Sequence, residues 1–182
     1  MTSAGLLLIV PVGTVGAAPP LEGLAASLAH ALGVRCAVAS AGLDSSFAFD
    51  AARNQYHSTR LLERLTRDYA TGFRILGVTG HDLFVPVLSF VFGEAQVSGL
   101  TAVVSTHRLR EEIYGLPADP AILLDRLTKE AVHELGHTFG LRHCDDWTCV
   151  MASTNSVERL DIRTALFCER CRPAVERVLR GG

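Results

Sequence analysis

The sequence predicts an α+β fold, α/β-like in its early part: a mixed sheet with helices packed on it, followed by an irregular, cysteine-rich tail. Three observations predict it. Apolar runs of strand length alternate with segments of helical spacing through the first hundred residues. A long helical pattern at roughly 120–139 then places Ile122, Leu123, Leu127, Ala131, Val132 and Leu135 on one side and stops near Gly140. Finally, four of the five cysteines fall within the last 39 residues. At about 150 residues per domain, the 182-residue chain is expected to be a single domain. Within it, residues 1–140 would carry the sheet and the long helix, and 141–182 a small C-terminal subdomain.

Residues 5–12 read as a buried strand, too short and too interrupted by Pro11 to span a bilayer. GLLLIVPVG followed by GAAPP imitates a secretory signal, but no Lys or Arg precedes the apolar run, which favours the strand. Residues 20–32 have helical spacing, with Pro20 at the start and Gly33 after the end. Residues 34–40 alternate as a second strand. Ser58 is placed to cap an amphipathic helix over 59–70, with Leu61, Leu62 and Leu65 on its apolar side. Further strands are expected at 74–80, 88–95 and 101–107, the last two side by side or as a hairpin. GLPADPA at 115–121 is a loop from which Asp119 and Pro120 open the long helix, and a last helix is expected over 168–180.

Hydrophobic residues make up 48% of the chain and charged residues 20%, which excludes general disorder. The formal charge of −2 argues against nucleic acid or an anionic membrane as partner. A cytoplasmic monomer is the expectation. Of the 17 basic residues only Lys129 is a lysine.

The chemistry lies on the long helix and after it. His133, Glu134 and His137 form an H-E-x-x-H pattern. Residues four apart share a helix face, so the two imidazoles can meet one ion. Glu134, about a third of a turn from His133, can reach a water activated by that ion as general base. The pattern continues as HELGHTFGLRH, with Gly140 suited to a left-handed turn that brings His143 round as a third ligand. Three imidazoles leave one coordination position open, the arrangement of a catalytic zinc.

Cys144 and Cys149 form one hook, and Cys168 and Cys171 another with two residues between them. The spacing suits a four-thiolate structural zinc; a redox-active CxxC and a pair of disulfides are the alternatives. Less weight falls on other residues. His30, His57, His81 and His107 lack ligand spacing, Cys36 reads as a small buried hydrophobe, and Asp145 and Asp146 read as second partners of a histidine or as loop acids. Nothing in the sequence places Tyr114 or Arg142, either of which could assist an oxyanion.

HELGHTFGLRH resembles the metzincin clan of zinc peptidases, in which a methionine in a tight turn follows the third histidine; Met151 is the sole candidate for that Met-turn. Together with Cys144, Cys149 and the late CxxC, and with ILGVTGHDLFVPVLSFVFGEA and AVVSTHRL upstream, the chain resembles the archaemetzincins. The resemblance implies a twisted mixed sheet with a backing helix, an active-site helix and a zinc-stapled C-terminal part. It implies two zinc ions, one catalytic on His133, His137 and His143, and one structural on Cys144, Cys149, Cys168 and Cys171. It also implies a peptide substrate lying antiparallel to the edge strand of the sheet, with contacts at Ser89, Phe90, Val91 and Phe92. The segment 152–167, slightly shorter than the family's spacing, is where the chain departs from the pattern. The expected function is hydrolysis of peptide bonds, internal or terminal. The alternatives are a catalytically silent zinc-stabilised binding protein, which would have no need of Glu134, and a redox protein using Cys168 and Cys171.

Overall fold

The structure is a computed structural model that describes residues 5–13, 20–69 and 73–181. Most of the GAAPP segment and the last residue of the helix expected over 59–70 lie outside the described residues. In chain order the elements are β1 (Leu6–Val12), α1 (Leu21–Leu32), β2 (Arg35–Val38), β3 (Phe49–Asp50), β4 (Gln55–His57), α2 (Ser58–Asp68), β5 (Arg74–Thr79), β6 (Leu83–Phe84), β7 (Gly93–Ala95), β8 (Thr101–Ser105), α3 (Pro120–Thr138), α4 (Val157–Ile162) and α5 (Arg172–Gly181).

The main sheet has the order β2-β1-β5-β8-β7. The first four strands run parallel and β7 closes one edge antiparallel to β8, so the two late strands form a hairpin. Parallel strands are covered on both faces, which is why β1, β5 and β8 are nearly continuous apolar runs. Leu7, Ile9, Leu76, Val78, Ala102 and Val104 share a core with α1 and α3, while Val10, Val12, Ile75 and Val103 face α2. Val157, Leu160, Phe167 and Val175 of the tail join the α1–α3 core.

Three sequence expectations change. The strand expected at 88–95 is regular only over Gly93–Ala95. Arg53 donates to the Leu88 and Ser89 carbonyls and Gln55 to that of Ser89, so side chains pin this stretch where a strand ladder was expected. The α2 helix begins at Ser58 itself, and Ser58 does not cap it: its hydroxyl turns inward to the Phe84 carbonyl and the Glu94 carboxylate. The last helix begins at Arg172, because Cys168 to Cys171 is a tight turn in which Cys171 N–H donates to the Cys168 carbonyl at 3.1 Å. The small sheet β3-β4-β6 and the six-residue α4 were not foreseen. Elements this short complete too little of a period to show in a sequence. Among the described residues no helix is long and apolar enough to cross a membrane.

Candidate active site and metal centres

The long helix forms where its ends are specified. Asp119 accepts from the N–H groups of Ala121 (2.9 Å) and Ile122 (3.0 Å), and Pro120 occupies the first turn, where its missing donor costs nothing. Gly140 stops it with φ +92°, a conformation that favours glycine, and sends the chain back toward the helix. From Arg126 to Gly136 every side of α3 is buried, polar residues included.

On this helix the Nε2 atoms of His133 and His137 lie 3.2 Å apart. Each ring's Nδ1 faces a backbone carbonyl, Val150 O at 2.7 Å and Leu141 O at 2.9 Å. With Nδ1 carrying the proton, both Nε2 atoms present lone pairs to each other, and a cation between them resolves the repulsion. Two nitrogens about 2.0–2.1 Å from a tetrahedral zinc would be about 3.3–3.4 Å apart, so the spacing fits. His143 completes the group, with all three donor atoms within 4.8 Å of one another. Burial pushes the His133 imidazole down to about 3 against the carbonyl's opposing pull, and lowers His137 as well, so both are neutral at pH 7, the ligating form. Backbone carbonyls thus orient the rings; Asp145 and Asp146 do not. Asp145 is exposed and Asp146 accepts from Thr148.

Glu134 is buried one residue along, in the same cleft. Burial, then the charges of Glu130 and Glu94, hold its carboxyl well above the usual range, and Glu130 lies one turn before it on the same helix face. The Glu134 side chain packs against Gly93: a Cβ there would sit 2.7 Å from Glu134 Cγ and 2.7 Å from the Val103 carbonyl. The cleft, about 520 Å³, is lined by the three histidines and Glu134, by Ser89 to Ala95 on one wall and by Ser153 to Asn155 on the other. Ser89, Phe90, Val91 and Phe92 therefore do share a cavity with the histidines. The ladder adds a detail. Phe92 O and Gln96 N bond to β8, so alternation turns the main-chain groups of Gly93 and Ala95 toward the free edge, while the Val91 N–H is taken by Leu83.

Met151 is fully buried beneath α3, and the space of a Gly136 Cβ is occupied by its sulfur. Cys144 N–H donates to the Met151 carbonyl at 2.9 Å, so the residue after His143 is tied to the turn that holds Met151. The sulfurs of Cys144, Cys149, Cys168 and Cys171 gather within 4.8 Å. Cys144 and Cys168 Sγ are 3.7 Å apart, close to the edge of about 3.8 Å that a tetrahedron with Zn–S of about 2.3 Å requires. Burial opposes ionisation of Cys168, but the N–H groups of Cys171 and Arg170 prevail and bring it down to about 7. No disulfide joins these cysteines.

The remaining residues fall elsewhere. His30 is exposed, and His81 bonds Ser45 (3.0 Å) and stacks on Tyr56. His57 packs on Phe84, His107 lines a separate groove with Arg53, Asp82 and Arg108, and Cys36 is half-buried in β2. Tyr114 donates to the Arg108 carbonyl, and neither it nor Arg142 lines the cleft. Glu130, Arg163, Gly93 and Glu94 were missed. Glu130 could have been found as the position one turn before Glu134 on the same face; Arg163 had no local signal.

The fold and the two donor clusters define the class first: a zinc-peptidase architecture, with an open histidine centre beside a carboxylate and a closed cysteine centre behind it. The profile described as Peptidase family M54 matches residues 42–177. The chain is similar to the archaemetzincin of Methanopyrus kandleri, 43% identical over 135 residues that make up 74% of each protein. Among solved structures, a crystal structure of archaemetzincin from M. kandleri matches with a TM-score of 0.82 and 35% identity over 98% of both chains. A zinc-dependent peptidase from Methanocorpusculum labreanum matches with a TM-score of 0.80 and 30% identity, over 93% of this chain and 99% of the other. The chain belongs to peptidase family M54, the archaemetzincins, a family of zinc metallopeptidases.

Proposed function

We propose that the chain hydrolyses internal peptide bonds, with a catalytic zinc on His133, His137 and His143 and a structural zinc on Cys144, Cys149, Cys168 and Cys171. The observation that carries this reading is the pair of facing Nε2 atoms 3.2 Å apart with Glu134 in the same cleft. Zinc at that position supplies Lewis-acid polarisation of the scissile carbonyl and acidifies the attacking water. Glu134 takes the proton from that water and delivers it to the leaving amine. The substrate backbone pairs with the free N–H and C=O groups of Gly93 and Ala95, and Ser89 to Phe92 line its path. Met151 forms the apolar floor under the ligands.

Cleavage inside a chain is favoured over aminopeptidase action by the fate of the carboxylates that line the cleft. Glu94 is taken by Ser58 and Thr59, Glu130 by Arg163, and Glu134 serves as base. Each carboxylate of the cleft thus has a partner or a task other than binding a free α-amine. The test is a peptide-library screen with mass-spectrometric readout, run beside Glu134→Gln with metal content measured. The expected result is internal cleavage by the wild type and none by a variant that keeps its zinc. Cleavage persisting in Glu134→Gln would remove Glu134 from the mechanism.

A further inference from the structure

Arg163 follows α4, and its side chain is 2% exposed. A guanidinium at that depth needs its charge paired and most of its donors used, and here both terminal nitrogens are engaged while Nε has no partner. Nη2 donates to Glu130 Oε2 at 3.1 Å, and Nη1 to the carbonyls of Val150 (2.9 Å) and Ala152 (2.5 Å). These partners come from the two structures the site depends on. Val150 and Ala152 flank Met151, and Glu130 lies one turn before Glu134 on α3. The Val150 oxygen also receives His133 Nδ1 at 2.7 Å, and Arg163 Nη1 sits 3.2 Å from that same nitrogen. Two N–H donors therefore converge on one carbonyl, which has a lone pair for each. That oxygen, shared with Arg163 on the same side, accepts from a protonated Nδ1 and so leaves the Nε2 lone pair aimed into the cleft.

We propose that Arg163 and Glu130 are a positioning pair that locks the backbone around Met151 to the active-site helix and so fixes the His133 ring and the Glu134 carboxyl relative to each other. The proposal rests on the reading of His133 as ligand and Glu134 as base. Both side chains reach the cleft wall, but their role here is exerted through other groups. Arg163 works through the Val150 carbonyl, and Glu130 through Glu134, one turn on. The planar, forked guanidinium is needed because three acceptors from two elements must be met in one plane, which an ammonium on a flexible stem cannot do.

The test uses the full chain with Arg163→Met, Arg163→Lys and Glu130→Gln. It has three readouts: kcat and KM on a cleaved peptide, zinc retention under chelator competition, and the ¹⁵N-imidazole spectrum of the zinc-free protein. Glu130→Gln is expected to fold, keep KM within about twofold and lose about 10- to 100-fold in kcat, the scale of a sub-ångström to 1 Å misplacement. Arg163→Met is expected to release zinc from the histidine centre about tenfold more readily and to lose the protected His133 Nδ1–H resonance, with Arg163→Lys intermediate in both. A pair that served only as core packing would lower the melting temperature and leave the imidazole spectrum and the KM-to-kcat split as they are; that result overturns the proposal. If Arg163→Met does not fold, Arg163→Lys decides: wild-type kcat and an unchanged Nδ1–H signal refute it. If the wild type cleaves no peptide, the proposed function fails, while zinc retention and the imidazole signal still judge the positioning pair.

Discussion

Replacing Gly93 with alanine is expected to cost activity far more than stability. The added Cβ would lie 2.7 Å from Glu134 Cγ, 3.1 Å from Glu134 Cδ and 2.7 Å from the Val103 carbonyl oxygen. Carbon atoms rest at about 3.5–4.0 Å, so the clash with Glu134 is short by roughly 1 Å. Val103 cannot yield, because it is fully buried in β8 between β5 and β7. Relief comes from β7 moving outward or from Glu134 swinging away, and either displaces the carboxylate from the strand that would hold the substrate. Overpacking costs about 1–3 kcal/mol, and loss of glycine's unfolded-state freedom returns about 0.5–1, so the net is at most about 2.5 kcal/mol. For a chain of this size that lowers the melting temperature by at most roughly 10 °C. A 1 Å displacement at the reacting centre costs about 100-fold in rate. The assay is kcat/KM on a library-derived peptide together with thermal denaturation and zinc content. Gly23→Ala serves as reference, since its Cβ would meet only the methyl ends of Leu124 at 3.3 and 3.6 Å. Gly93→Ala with kcat/KM within twofold of wild type would refute the claim that Glu134 is placed by contact with this strand.

Cys144→Ser should lower zinc occupancy at the histidine centre as well as at its own, because Cys144 directly follows His143 and its N–H is bonded to the Met151 carbonyl; full retention at the histidines, measured by metal analysis, would show the centres to be independent. Native thiols at the cysteine centre should react slowly with a thiol reagent until a chelator is added, whereas immediate reaction of Cys168 and Cys171 would favour the redox reading. At Asp82, burial alone would raise the carboxyl, but the hydrogen bonds from Arg108 and Gln55 outweigh it and hold it below the usual range. The stability this supplies is complete above the unfolded value of about 3.9 and is lost as pH falls through the lower folded value. Asp82→Asn should therefore melt well below wild type at neutral pH, with the gap closing as the pH drops through the acid range; a gap independent of pH would show that the charge is not what matters there.

Where the sequence was readable, one local pattern sufficed. The three histidines are spaced so that helix geometry and one left-handed turn at Gly140 bring them together, and the four cysteines stand as two short hooks that meet in a second group. The parallel core strands were visible because burial on both faces makes them uniformly apolar. What escaped depends on contacts between distant segments. Ser89 to Phe92 look like a strand, yet Arg53 and Gln55, some 35 positions earlier, hold the Leu88 and Ser89 carbonyls. Ser58 looks like a cap, yet Glu94 claims its hydroxyl across 36 positions. CERC looks like a helix start, yet its thiols are drawn toward Cys144 and Cys149.

The burial of α3 explains why the tail matters to the site. Core helices bury apolar faces, but this one also buries Arg126, Lys129 and Glu130. Each is answered from outside the helix or from its solvent edge. Arg126 is held by Asp161 at 2.7 and 2.8 Å and by Glu111, Lys129 by Asp125 and the Asp161 carbonyl, and Glu130 by Arg163. Asp161 and Arg163 both belong to the stretch around the end of α4. Losing one partner of a buried pair costs about 3–5 kcal/mol, and the whole stability of a domain is about 5–15. An α3 deprived of that stretch would carry the buried Glu130 charge uncompensated one turn from Glu134, and would leave Arg126 to Glu111 alone. The charged face that leaves room for Glu134 in the cleft is therefore compatible with a folded chain only because the segment between Met151 and the CERC turn returns across it.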